Sequence, residues 1–473
     1  MVFSSIVFVL YFLPVFLFLY FIIDRKYKNI SILVFSVFFY TWGAPKFIFV
    51  ILGTTLLDFI LVSNMDRMKS EVKRRLLLMI SVAVNLGLLV YFKYSNFFIE
   101  NFNVLLEGLG IRHVAWTKLV LPIGISFYTF ETITYVVDVY RRIHKPLKNF
   151  WDYQLYIILF PKLIAGPIVR YHDIADQLTD RSANENNDNR LAGFYRFVIG
   201  LAKKVLIANQ MGAQADLIFS QDYHTLSTGT AWIGILAYTF QIYFDFSGYS
   251  DMALGIAKMM GFKLPENFNS PYVSRSITEF WRRWHITLGT WMRNYLYIPL
   301  GGNRLSSRRT YFNLWLVFVA SGLWHGASWN FVLWGVYHGC FLVIERLFLS
   351  KMYDIMGRFI PMILTFFFVV IGWVFFRVEH FEGAITYIGR MFAMQSGVDL
   401  QADMQFVTMF CVAIFFSFFA VFQKTKSIQE TVFAGDFTLK QHYLISPIIL
   451  ILFVLSIASI TSFGFNPFIY FRF

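Results

Sequence analysis

The chain has 473 residues, of which 57% are hydrophobic and only 15% are charged. Soluble proteins average about 45–50% apolar residues with glycine included, and about 25% charged residues, so a soluble chain of this composition would expose large apolar patches. The composition excludes a soluble globular or disordered protein and predicts an integral membrane protein. The formal charge of +13 is typical of basic loops beside a membrane, and we do not expect nucleic-acid binding.

Long apolar stretches follow one another along the chain. Because a bilayer core needs about 20 apolar residues in a helix, we predict an all-α membrane protein with about 11 to 14 transmembrane and re-entrant helices. Several stretches are too short or too interrupted to cross the membrane alone. The predicted helices cover residues 5–23, 30–42, 46–63, 76–92, 117–140, 153–166, 192–219, 230–258, 277–300, 310–323, 327–349, 358–377, 404–422 and 443–461.

The charge of the loops predicts the orientation of the chain. Lys and Arg accumulate on cytoplasmic loops, and basic clusters follow the first, third and fifth predicted helices. Lysines also flank the loop before the last helix. We therefore predict one polytopic membrane domain over residues 1–461 and a tail over residues 462–473, with both termini outside the cytoplasm. The basic residues are Arg25, Lys26, Lys28, Arg67, Lys69, Lys73, Arg74, Arg75, Arg141, Arg142, Lys145, Lys148, Lys424, Lys426 and Lys440.

The sequence offers no pattern typical of a metal centre or a disulfide. Cys340 and Cys411 lie in apolar runs, no Cys-x-x-Cys occurs, and most histidines are scattered. We expect no metal site.

The block from Gln241 to Arg304 is unusually polar for so apolar a chain. Ionisable groups at membrane depth cost several kcal/mol and need a partner or a function. Two interpretations stay open for them, namely ion pairs that hold helices together and a functional site. The ionisable residues are Asp245, Asp251, Glu279, Arg282, Arg283, His285 and Arg293.

A second block, from Phe318 to Gly339, contains His325 among small neighbours that would let another group approach its ring. An intramembrane histidine often only donates a hydrogen bond between helices. Imidazole is also well suited to proton transfer near neutral pH. From the residues alone, both interpretations of His325 stay open, and we expect His338 to be structural.

Several segments together carry a resemblance that spans nearly the full length of the chain. The most specific pair is FWRRWHITLGTWMRNYLYIPLGG, Phe280–Gly302, followed by SGLWHGASWNFVLWG, Ser321–Gly335. In these segments the chain resembles the membrane-bound O-acyltransferase family. It looks most like the bacterial branch that contains the alginate and peptidoglycan O-acetyltransferase membrane subunits. The resemblance implies a ring of helices around a central funnel. The other matching segments are Met1–Ser5, Leu121–Arg141, Phe160–Tyr171 and Gly372–Arg377.

The resemblance also implies site residues. His325 corresponds to the family's catalytic histidine, and His285 to a second histidine near the site. The ending FIYFRF, Phe468–Phe473, is an interfacial aromatic anchor on the plainer interpretation. It is similar to the terminal motif of the microprotein in teichoic-acid D-alanylation systems, in which a tyrosine is implicated as a transient acyl carrier. Tyr470 is the matching residue.

The function implied is that of an O-acetyltransferase in the bacterial cytoplasmic (inner) membrane. It would take an acetyl group from cytoplasmic acetyl-CoA and relay it through Tyr470 to an extracytoplasmic polysaccharide such as alginate or peptidoglycan, with an exported SGNH-type, esterase-like partner. Candidate residues for the CoA phosphates are Arg282, Arg283 and Arg304. Lys203, Lys204, Arg308 and Arg309 are also available, but the plainer use of all seven basic residues is to solvate loops, and this is the use that we assign to them.

Two alternatives remain at this stage. One is D-alanyl transfer from a carrier protein to teichoic acid. The other, from a different class, is a transporter of polysaccharide or lipid precursors, because polar residues at membrane depth also suit transport.

Overall fold

The computed structural model describes residues 1–399, 402–435, 437–463 and 468–469. Tyr470 lies outside the described residues. Within them the secondary structure is helical, with one isolated parallel β-bridge between Leu226 and Val398. The chain forms two compact units. The first holds Met1, Val7–Glu185 and Met260–Pro265, and the second holds Val2–Ile6, Asn186–Met259 and the described residues from Glu266 onward.

The first unit begins with long helices and continues with short helices. The long helices are α1 (Val7–Ile22), α2 (Lys28–Gly43), α3 (Ile48–Arg67), α4 (Glu71–Gly108) and α5 (Ile125–Tyr140), and the short helices are α6 (Phe150–Ile158), α7 (Phe160–Leu163) and α8 (Tyr171–Thr179).

The second unit begins with α9, residues 187–219, in which Asn187–Ala202 continues through the π-helical turn Lys203–Ala208 into Asn209–Phe219. Then follow α10 (Thr228–Met259), α11 (Ile277–Arg283), α12 (Ile286–Trp291, extended by the π-helical turn Met292–Tyr297), α13 (Ser307–His325), α14 (Trp329–Ile355), α15 (Phe359–Arg377), α16 (Phe381–Phe392), α17 (Met404–Val421), α18 (Gln423–Ala434) and α19 (Leu439–Phe463).

Six of the described helices are long and apolar enough to cross a membrane, namely α3, α4, α14, α15, α17 and α19, and α1 is a shorter apolar helix. The chain is therefore a multi-pass membrane protein, and the all-α membrane class expected from composition is confirmed. Each predicted apolar stretch coincides with helix over most of its length. The helices that the apolar pattern missed are α8, α16 and α18, which are short and carry polar residues along their length.

Two predicted helices are broken where local chemistry interrupts them. The stretch 153–166 divides at Leu159, next to Pro161 at the start of α7, because proline lacks the N–H that a continuous helix needs. The stretch 277–300 divides between α11 and α12, where His285 takes a left-handed backbone with φ +46°. The stretch 117–140 becomes helical only after Gly124, whose φ is +78°.

Charged groups inside the first unit are paired. Glu131 on α5 and Lys162 on α7 are almost fully buried and form an ion pair, and Glu131 also accepts from the Val169 N–H. On α3, Asp58 accepts hydrogen bonds from Ser81 and Asn85 of α4. These contacts link neighbouring helices, which is the structural use of polar groups in a membrane.

In the second unit, facing glycines bring α9 and α10 into close contact. A Cβ placed at Gly200 would lie 2.5 Å from the carbonyl oxygen of Gly248, and one at Gly255 would lie 2.5 Å from that of Gly193. Real Cβ atoms do not approach carbonyl oxygens this closely, so these positions require glycine. The backbones can then approach as small-residue helix pairs do in membranes.

Candidate active site

The close approach of α9 and α10 places two basic residues of α9 against two acidic residues of α10. Lys203 Nζ lies 2.6 Å from Asp251 Oδ2, and Lys204 Nζ lies 3.0 Å from Asp245 Oδ1. Neighbouring side chains of a regular helix point about 100° apart, and here the π-helical turn that begins at Lys203 brings both to the same partner helix. Our assignment of these lysines to loop solvation is wrong, because both are ion-paired.

Arg196 connects these helices to the loop that follows α10. Its guanidinium donates to Asp251 Oδ1 at 2.7 and 2.9 Å, and to both carboxylate oxygens of Glu266 at 2.6 Å. Asp251 is thus held by Arg196 and Lys203 together. Bidentate pairing fixes both distance and orientation, so the loop that begins at Glu266 has a defined position in the second unit.

Asn267, the residue after Glu266, organises the turn that contains His285. The carbonyl oxygen of Asn267 accepts from Ile286 N–H at 2.9 Å, and its side-chain Oδ1 lies 3.2 Å from His285 Nδ1. The same Oδ1 accepts from the Thr287 hydroxyl at 2.9 Å and from its N–H at 3.3 Å. The Asn267 amide group donates to Ser250 Oγ on α10 at 3.1 Å. These bonds hold His285 in its left-handed conformation.

His325 ends α13, and the hairpin of α13 with α14 fixes its position. Gly322 on α13 lies against the backbone of Phe331, and a Cβ at Gly335 on α14 would lie 2.4 Å from the carbonyl oxygen of Phe318. The helix ends immediately after His325, where Gly326 is extended. The two helices therefore pack backbone to backbone, with His325 at the turn between them.

The structure brings the two histidines together. Their ring centroids are 6.4 Å apart, and His285 and His325 are only 1% and 5% exposed. His285 lies in a turn outside the membrane-length helices, and burial there lowers its pKa to about 3, which favours a neutral ring. Aromatic rings within about 6 Å surround the pair and restrict access of bulk water. They are Phe246 and Trp324 around His285, and Trp324, Trp334 and Phe376 around His325.

The described residues of the C-terminal segment lie beside this pair. Ile469 N–H donates to Asp245 Oδ2 at 2.9 Å, and Phe468 and Ile469 are almost fully buried. The Phe468 ring lies 4.6 Å from that of Tyr249 and 6.1 Å from that of Phe246. Phe246 in turn lies 4.7 Å from the His285 ring, so one aromatic side chain connects the segment with the histidine.

The three arginines predicted for the donor phosphates occupy different settings. Arg283 pairs with Glu279 at 2.8 Å and donates to the Asn269 carbonyl oxygen at 3.1 Å. Arg282 and Arg304 are exposed. The other buried histidine, His338, accepts from the Trp281 indole N–H at 3.4 Å, which fits the structural role expected for it.

Sequence reasoning missed Asn267 and the contacts of Arg196. Asn267 stands in a loop segment, ENFNSPY, with no periodicity that would mark it. The sequence marked Asp245 and Asp251 only as charged residues in an apolar segment. Their ion-pair partners on α9 become visible only from the packing of α9 on α10.

Comparison with known proteins identifies the family. The sequence profile of the membrane-bound O-acyltransferase family matches residues 144–381. The chain is 40% identical to a probable alginate O-acetylase of Pseudomonas putida, with full coverage of both chains. It is 37% identical to a peptidoglycan O-acetyltransferase of Helicobacter pylori, over 85% of this chain and 81% of the relative.

A more distant similarity reaches a teichoic acid D-alanyltransferase of Bacillus subtilis, at 27% identity over 56% of this chain and 71% of the relative. The family profile and the full-length relatives agree with the resemblance found in the motifs. The chain belongs to the membrane-bound O-acyltransferase family and is an acyltransferase of the membrane.

Proposed function

We propose that the protein transfers an acetyl group from cytoplasmic acetyl-CoA to its own Tyr470, from which an exported esterase-like partner of SGNH type delivers the group to a cell-envelope polysaccharide. In this account the enzyme lies in the bacterial cytoplasmic (inner) membrane with both termini outside. Relatives at 37–40% identity are named for alginate and peptidoglycan O-acetylation, and polysaccharide is accordingly the acceptor class that we propose.

The observation that carries the proposal is the arrangement around His285. The His325 ring lies 6.4 Å from the His285 ring. The Phe246 ring lies 4.7 Å from the His285 ring and 6.1 Å from the ring of buried Phe468, and the N–H of buried Ile469 donates to Asp245. Tyr470 is the next residue in the sequence. This proximity supports Tyr470 as the acyl acceptor, rather than a simple interfacial anchor.

In the proposed reaction the Tyr470 hydroxyl attacks the acyl donor, and His325 acts as the general base. A phenol has a pKa near 10 and is a weak nucleophile at neutral pH, so a base must remove its proton as it attacks. His325 takes the proton from the Tyr470 hydroxyl, whose oxygen forms a bond to the acetyl carbonyl carbon. The carbon–sulfur bond then breaks, and the departing thiolate recovers the proton from His325. The products are an acetylated tyrosine and free thiol.

Binding of the donor requires positive charge near the site. Arg282 and Arg304 are exposed and are suited to contact phosphates. Arg283 already pairs with Glu279 and would give up part of that contact to bind phosphate. The two exposed arginines are therefore the stronger candidates in this proposal.

The experiment that tests the proposal is transfer of labelled acetyl groups by the purified protein in proteoliposomes. We expect His325→Ala to lower the rate by about 10²–10⁴-fold, the usual contribution of a general base. The matched control is His338→Gln. His338 packs 5.1 Å from the Trp334 ring that also contacts His325, and glutamine keeps an acceptor for Trp281. Equal losses in both variants would contradict a catalytic role for His325.

Donor competition separates the proposal from D-alanyl transfer. Excess unlabelled acetyl-CoA should suppress labelling, whereas a D-alanylated carrier protein should not compete. The opposite result would favour D-alanylation. The family assignment makes a transporter function the weaker alternative, and a transporter would release no free thiol from the donor.

A further inference from the structure

The side-chain amide of Asn267 contacts His285 and Thr287 in the turn and Ser250 on α10. Only one orientation of the amide satisfies all three contacts. Thr287 N–H can only donate, and it lies 3.3 Å from the atom assigned as Oδ1. A reversed amide would place an NH₂ group against this N–H, with two donors facing each other. The oxygen must therefore face Thr287, and the amide nitrogen must face Ser250 Oγ, 3.1 Å away.

This orientation determines the proton position on His285. Its Nδ1 lies 3.2 Å from the same Asn267 oxygen, which can only accept. Nδ1 must therefore carry the hydrogen. In a neutral imidazole the other nitrogen then holds a lone pair, so Nε2 is an acceptor. An acceptor nitrogen cannot donate to the carbonyl oxygen of an acyl donor, and it is suited to receive a hydrogen bond.

The position of Asn267 is itself fixed from two sides. Its own carbonyl oxygen accepts from Ile286 N–H at 2.9 Å, and its neighbour Glu266 is held by Arg196. Asn267 is fully buried. A left-handed conformation of a non-glycine residue costs about 1–3 kcal/mol and persists only where its surroundings determine it. The contacts of Asn267 provide such surroundings for His285.

We propose that Asn267 is the positioning residue for His285, holding its ring in the Nδ1–H tautomer so that Nε2 serves as a hydrogen-bond acceptor during acyl transfer. The inference rests on the proposed function, in which His285 lies beside the base His325. Asn267 makes no contact with substrate in this account and acts only through the histidine.

A double-mutant cycle tests this inference with the full-length protein in proteoliposomes. We expect Asn267→Ala to lower kcat for acetyl transfer by about tenfold or more, with little change in KM for acetyl-CoA. In a His285→Ala background the same change should have no further effect, because the two residues act as a unit. Asn267→Asp keeps an acceptor oxygen and should recover activity to within about threefold of the original protein. The matched control is Asn269→Ala in the same loop.

Thermal unfolding in detergent separates folding from positioning. Should Asn267→Ala give no folded protein, Asn267→Leu replaces it, since leucine keeps the volume and removes the acceptor. A further fall in rate when Asn267 is changed in the His285→Ala background overturns the inference. So does a rate for Asn267→Ala equal to that of the original protein. A normal rate for His285→Ala contradicts the role that this inference gives to His285 and overturns it. If His285→Ala loses activity while Asn267→Ala keeps the original rate, this inference fails and the proposed function still stands.

Discussion

The rings of His285 and His325 lie 6.4 Å apart, although one histidine occupies a left-handed turn between two short helices and the other ends a long helix. Two separate sets of contacts fix the distance between the two rings. Asn267 holds the turn of His285, and the glycine-mediated contact of α13 with α14 holds the end of the helix at His325.

Replacing Gly200 with alanine should separate α9 from α10. Its Cβ would lie 2.5 Å from the Gly248 carbonyl oxygen, and backbone atoms in packed helices cannot move aside cheaply. We expect overpacking of about 1–3 kcal/mol, seen as a fall of about 1–3 °C in the midpoint of thermal unfolding in detergent. Gly53→Ala on α3 is the control, since a Cβ there meets nothing within 4 Å. Equal midpoints for both variants would refute the close approach.

Removal of the Asp251 carboxylate should destabilise the second unit strongly. Arg196 and Lys203 would lose a shared anion in a buried site, and breaking a buried pair typically costs about 3–5 kcal/mol. We expect Asp251→Ala to unfold at a clearly lower temperature. In the exposed pair Arg25–Asp180, Asp180→Ala should change stability by about 0–1 kcal/mol. Comparable losses at the two sites would mean that Asp251 is not a buried ion-pair partner.

The C-terminal segment should be released when Asp245 is changed to alanine, because the acceptor for the Ile469 N–H is lost. We expect faster removal of C-terminal residues by carboxypeptidase and a drop of about tenfold or more in acetyl transfer. Asp216→Ala serves as the control, since it removes an acid paired with Arg377 elsewhere in the same unit. Unchanged digestion in Asp245→Ala would argue against docking of the segment by this residue.

A pH dependence of stability should arise from His172 in the first unit. Its hydrogen bond to Asp138, with Nδ1 2.7 Å from Oδ2, raises the pKa of His172 above its usual value. The folded chain therefore holds this proton more tightly than the unfolded chain, whose histidine pKa is about 6.5. The stabilisation is complete below about pH 6.5 and is lost as the pH rises through the raised value.

We expect His172→Gln to remove this contribution, with a lower unfolding midpoint at pH 6 and little difference from the original protein at pH 8.5. His380→Gln, on an exposed histidine, is the control. A constant difference between His172→Gln and the original protein at both pH values would mean that the bond does not depend on protonation.

The sequence was sufficient to predict the membrane class and most helices, because an apolar run long enough to cross a bilayer has few alternatives. It did not predict the break at His285, since that break depends on hydrogen bonds that Asn267, a loop residue 18 positions earlier, accepts from His285 and Ile286. The pairing of Lys203 and Lys204 was missed for a similar reason. Their contacts follow from the glycine-mediated packing of α9 on α10 and from a π-helical turn that composition does not reveal.

The most direct test of the relay is the mass of the C-terminal peptide after the purified protein has been incubated with acetyl-CoA in proteoliposomes. The account predicts that this peptide gains one acetyl group on Tyr470, that His325→Ala abolishes the gain, and that Tyr470→Phe leaves the peptide unmodified and blocks onward transfer. Full acetyl transfer to an acceptor by the Tyr470→Phe variant would contradict the account.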